Sequence, residues 1–62
     1  MKLKDLLQVL YGYNEIVLYD NKNRYIDFYY NMTEIKEEYQ NQKVLSIWVN
    51  DFGQLEITIE NN

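Results

Sequence analysis

Hydrophobic positions recur along this chain with two periods, and segments of each kind alternate. In "KLKDLLQVLYG", Leu3, Leu6, Leu7 and Leu10 fall at i, i+3, i+4 and i+7, one stripe of an amphipathic helix, and Gly12 is placed to end it in the left-handed conformation. The stripe predicts core packing rather than a membrane anchor, because it is short and Asp5 lies among its lysines. The period then changes to two. "EIVLYDNKNRYIDFYYN" predicts a β-hairpin whose loop, Asn21 to Asn23, holds Asn23 in the left-handed region. That loop sets Asp20 opposite Arg24, Leu18 opposite Ile26 and Ile16 opposite Phe28. One face then carries Ile16, Leu18, Ile26, Phe28 and Tyr30, and the other carries Val17, Tyr19, Tyr25, Asp27 and Tyr29.

The alternation repeats. "YNMTEIKEEYQ" predicts a second, shorter helix, capped by Asn31 at the amide three residues on, with Glu34 reaching back and Tyr30 stapled against Ile35. Ile35 and Tyr39 form its apolar line, and Glu34, Glu37 and Glu38 face outward. "KVLSIWVNDFGQLEITIE" predicts a second hairpin with a loop of Asp51, Phe52 and Gly53, pairing Val49 with Leu55, Ile47 with Ile57 and Leu45 with Ile59. Its outward positions are Val44, Ser46, Trp48, Glu56, Thr58 and Glu60. Aligning the two turns at an offset of thirty residues puts Asp20 on Asn50.

The predicted fold class is therefore α+β: one small domain over residues 1–62, ordered αββαββ, with a four-stranded antiparallel sheet and both helices on one face. The other face would be open. Val17, Tyr19, Tyr25, Tyr29 and Trp48 are the residues expected there, as a protein interface rich in tyrosine and tryptophan. The competing reading makes the tyrosines cross-strand partners that shield the sheet and keep their hydroxyls wet.

Composition narrows the classes of function. With 62 residues the hydrophobic core is small, and the absence of cysteine and histidine excludes a disulfide framework and argues against a zinc site. Tight packing or self-association is left, so a homodimer is expected. No apolar run is long enough for a signal-peptide core or a membrane span, which places the chain in the cytoplasm without a membrane partner. A net charge of −4 disfavours direct nucleic-acid binding, where lysine and arginine must displace counterions from phosphates. The acids concentrate late: Glu34, Glu37, Glu38, Asp51, Glu56 and Glu60 face only Lys36 and Lys43 over residues 34–60.

Short motifs add no chemistry. "DFG" at 51–53 matches the magnesium-binding tripeptide of protein kinases, but a turn explains it and the chain has no room for the other kinase elements. "NMT" at 31–33 has the form of a glycosylation acceptor, and helix capping is the better use of Asn31. "DNKNRYID" lacks the glycine and closing glutamate of a calcium loop. Adjacent Glu37 and Glu38 diverge on a helix and cannot converge on one substrate. No catalytic residue, metal or cofactor is assigned, and the chain is expected not to be an enzyme.

The opening "MKLKDLLQVL" followed by "EIVLYD" resembles the short proteins of phages and mobile elements in low-GC bacteria. That resemblance implies the anti-CRISPR or wider anti-defence inhibitor class, working in the host cytoplasm. The partner would be a protein, such as a host nuclease whose nucleic-acid groove the inhibitor occupies. Glu34, Glu37, Glu38, Glu56 and Glu60 would then form an acidic partner surface imitating spaced phosphates. The alternative is a homo-oligomeric structural or regulatory module that pairs through the aromatic face or an edge strand. Binding of single-stranded nucleic acid to the aromatic sheet is disfavoured by Asp27 and Glu56 on the same expected face.

Overall fold

Four strands, β1 (Ile16–Tyr19), β2 (Tyr25–Tyr29), β3 (Val44–Val49) and β4 (Leu55–Ile59), form one sheet in a computed structural model that describes residues 1–10 and 15–61. Their order is β2-β1-β4-β3. Both hairpins are antiparallel, but the central pair β1 and β4 is parallel, with Ile16 beside Leu55 and Leu18 beside Ile57. The sheet is thus mixed, which corrects the expectation of four antiparallel strands. The arrangement follows burial: Ile16, Val17, Leu18, Leu55, Ile57 and Ile59 are the buried strand positions of β1 and β4, so each hairpin docks through the strand whose aliphatic side chains lie deepest. The connection from β2 must then travel from one edge of the sheet to the other.

That connection is not the single helix expected. It is a 3-10 turn at Met32–Glu34, an extended Ile35 and Lys36, and a four-residue helix α2 (Glu37–Gln40). Asn31 does cap the first turn, but its side chain accepts from the Thr33 amide, at 3.0 Å, two residues on rather than three. The break points Ile35 into the core, and the Gln40 side-chain amide donates to the Ile35 carbonyl at 2.7 Å, satisfying an acceptor that a continuous helix would have paired. Tyr30 makes no staple there. It is exposed and packs edge-on to Phe28 with ring centroids 4.8 Å apart.

Helix α1 (Leu3–Leu7) is shorter than its stripe predicted, and Gly12 lies outside the described residues. Asp5 accepts the Lys2 amide at 3.4 Å, while the lysine ammonium, having no acceptor, cannot return the bond. Residues 1–3 also act as a short strand: the Val44 amide donates to the Met1 carbonyl at 2.8 Å and the Leu3 amide to the Gln42 carbonyl at 2.9 Å. Leu3 and Leu6 join Ile16, Leu18, Tyr29, Ile35, Leu55, Ile57 and Ile59 in one core, against which Leu7, Leu10, Ile26, Met32, Tyr39 and Val44 pack. Both helices therefore contribute to the same side of the sheet.

Each hairpin departs from its expected register by one bulge. In the first, Asp20 and Arg24 bond across the turn as expected, but Tyr19 pairs with Tyr25 and Leu18 with Asp27, leaving Ile26 as the extra residue. Every position beyond Ile26 changes face. Ile16 is thus opposite Tyr29 rather than Phe28, and Phe28 is opposite Val17. In the second, Val49 with Leu55 and Ile47 with Ile57 stand as expected, whereas Val44 replaces Leu45 opposite Ile59. Val44 consequently packs on the core and Leu45 is exposed.

Candidate protein-binding surface

The face of the sheet away from the core is built in two rows. Phe28, Val17, Glu56 and Trp48 follow one another across β2, β1, β4 and β3, and Tyr25, Tyr19, Thr58 and Ser46 form the next row. Tyr19 and Tyr25 meet edge to face with centroids 6.3 Å apart, and the Phe28–Tyr30 pair lies beside them. Tyr25, Tyr30 and Trp48 are exposed by 61, 71 and 68 %, so rings stand free at both ends of the face. Val17 is the exception, buried at 8 % between its neighbours Phe28 and Glu56.

Four of the five residues expected on this face are on it: Val17, Tyr19, Tyr25 and Trp48. Tyr29 is not. The bulge at Ile26 turns it into the core, where it is 5 % exposed, and the same shift delivers Phe28 and Tyr30, expected inside, to the open side. Burial, followed by the nearby carboxylate of Asp27, pushes the Tyr29 hydroxyl up to about 12. That hydroxyl has no hydrogen-bond partner among the described residues. Asp27, also expected on the open face, shares the helix side with Leu18 and stays exposed at the sheet edge.

The acidic set does not share one surface. Glu34, Glu37 and Glu38 are exposed on the connection that crosses the helix side, whereas Glu56 lies on the open face and accepts from the Asn50 side chain at 3.0 Å. Glu60 follows β4, its amide bonded to the Lys43 carbonyl at 2.9 Å. Among the described residues the one ion pair is between Arg24 and Asp20, at 2.9 Å. Amide bonds from Arg24 foremost, and the Arg24 guanidinium beside them, hold the Asp20 carboxyl below its ordinary range despite its burial.

Sequence reasoning missed the residue that organises the second turn. Asn50 Oδ1 accepts the amides of Phe52 and Gln54, each at 2.9 Å, and its Nδ2 donates to Gln54 and Glu56. Asp20 does the same at the first turn, taking the amides of Lys22 and Arg24 at 2.9 Å each. The alignment of Asp20 with Asn50 was the available signal.

Elsewhere, Lys4, Leu7, Gln8, Met32, Thr33 and Gln40 line a shallow, open groove of about 450 Å³ between α1 and the crossover connection. Among the described residues there is no group of three or more acidic, histidine or cysteine side chains that could hold a metal, and no helix long and apolar enough to cross a membrane. Compared with family models, curated proteins and solved structures, this chain matches none.

Proposed function

We propose that the chain is a small, non-enzymatic protein-binding module of the cytoplasm that engages a foreign protein through the open face of its sheet. The observation that carries this reading is the concentration of Tyr19, Tyr25, Phe28, Tyr30 and Trp48 on a face covered by neither helix. Aromatic rings offer large contact area with few rotatable bonds, and tyrosine hydroxyls keep such a face hydrated until a partner arrives. Tyr25→Ser combined with Tyr30→Ser alters two exposed side chains, so the fold is expected to persist and circular dichroism checks it. A protein bound by the wild type is expected to bind this variant at least about tenfold more weakly. Equal binding by both folded proteins would remove the open face from the interaction.

A second reading rests on Glu34, Glu37 and Glu38, which are exposed on one short stretch and form no ion pair among the described residues. In this reading the module inhibits a nucleic-acid-binding defence protein, and the three carboxylates speed encounter with its basic groove. Reversing all three to lysine is expected to slow association and flatten its salt dependence. An unchanged association rate across a salt series would leave the acidic stretch without that role.

A further inference from the structure

The two edges of the sheet are protected unequally. On β2 the edge carries a bulge at Ile26 and the charged Asp27, both devices that discourage another strand from pairing. On β3 the bulge at Leu45 and the pairing of residues 1–3 with 42–44 close only the first end. Among the described residues the stretch from Leu45 to Asn50 remains open on this edge, with no charge and no proline. Because Asn50 donates to the Gln54 carbonyl, alternation along the ladder turns the amides and carbonyls of Ile47 and Val49 away from β4, toward the free edge.

From this we infer that β3 is a self-association edge, and that a second copy of this chain pairs with it antiparallel across a two-fold axis to give a continuous eight-stranded sheet. This goes beyond the open-face reading and does not depend on it. The segment at residues 1–3 limits the register, since a second strand can run only as far as Leu45 before meeting it. The register that uses the free stretch centres the axis on Trp48, sets the two Trp48 rings opposite one another, and pairs Ile47 with Val49 and Ser46 with Asn50 of the second copy. Ile47 and Val49 then bond through their outward-facing backbone groups.

Three features select a second copy over a foreign strand. Lys2 and Lys43 lie side by side at the start of β3 and Asp51 begins the turn at its end. An antiparallel two-fold brings start against end, so the lysines of each copy meet Asp51 of the other. The surface available is also close to sufficient. Exposures of 46 % at each of Leu45, Ile47 and Val49, with 68 % at Trp48 and 85 % at Phe52, amount to roughly 600 Å² per copy, against about 800 Å² per partner in a standard interface. Finally, self-association is one of the few supplements open to a 62-residue chain that lacks cysteine.

The test is solution mass by sedimentation across a wide concentration series, with the emission of the single tryptophan followed in parallel. The mass is expected to rise from 7.6 kDa toward twice that value, with emission shifting to shorter wavelength as Trp48 leaves water. Ile47→Lys, on the helix side of β3, is expected to weaken the dimer by at least about tenfold. Asp51→Lys, a change on an exposed turn that leaves the fold intact, is expected to weaken it too, and adding Lys2→Asp with Lys43→Asp to restore it. A wild type that stays monomeric throughout overturns the inference. So does a dimer that tolerates both Ile47→Lys and Asp51→Lys but is lost in the Tyr25→Ser, Tyr30→Ser variant, since that dimer would use the open face instead.

Discussion

Single residues decide the turns and the faces of this protein. Asp20 and Asn50 each accept two amides of the following turn, and Asn23 and Gly53, three residues on, take φ of 62° and 76°. The left-handed positions were legible because few residues tolerate them. Tyr29 was not legible, because nothing in "RYIDFYY" distinguishes an inward tyrosine from an outward one once a bulge intervenes. Its buried hydroxyl, unpaired among the described residues, has an energetic consequence: removing it relieves a desolvation penalty and leaves the ring's packing in place. Tyr29→Phe is therefore expected to stabilise by about 1 kcal/mol, or roughly 4–8 °C in thermal midpoint for a domain of this size. A pH dependence follows too. With the hydroxyl at about 12 when folded and 10.0 ordinarily, the unfolded chain ionises first, so stability is unaffected by this group's ionisation below pH 10 and falls as pH rises toward 12. The variant should lose less stability over that interval than the wild type. Thermal melts of both proteins at pH 7 and above pH 10 check the two expectations, and a lower midpoint for Tyr29→Phe at pH 7 would contradict the first.

At the scale of elements, the crossover from β2 to β3 is held by little. Ile35 is the sole buried residue of the stretch from Met32 to Gln40, and Tyr39 and Met32 pack only partly on the core. Sequence periodicity identified Ile35 and Tyr39 as the inward pair, yet it could not show that the chain extends at Ile35 instead of turning. A helix of this length has too few internal bonds to hold its own shape, so tertiary anchoring decides it. Truncating the anchor should therefore release the whole connection. Ile35→Ala is expected to cost about 2–5 kcal/mol. A chain of this size has only roughly 3–9 kcal/mol of stability to lose. Urea denaturation measures the difference, and a cost below about 1 kcal/mol would mean that the connection is anchored elsewhere. Tyr39→Ala, at a partly exposed position, should cost less.

For the whole molecule, the hairpins were legible and their docking was not. Turn chemistry and alternation are local, whereas the choice to set β1 parallel to β4 depends on which strands carry the deepest aliphatic faces after both bulges are in place. The open aromatic face survived this change because Val17 and Tyr19 lie on β1, which carries no bulge, and Tyr25 and Trp48 lie between their turn and the bulge of their strand. Charge is the remaining property that acts across the full molecule. A net charge of −4 is confined to a body of 28 × 22 × 18 Å, and the described residues contain only one ion pair to offset it. Screening falls to about 10 Å at 0.1 M salt, shorter than every axis of this body, so added salt weakens the repulsion among distant carboxylates while the contacting Arg24–Asp20 pair loses much less. The thermal midpoint at pH 7 is therefore expected to rise between low and moderate ionic strength. Melts at the lowest workable protein concentration keep self-association out of the comparison. A midpoint that falls with salt would show that attractive surface pairs, not repulsion, dominate the electrostatics of the fold.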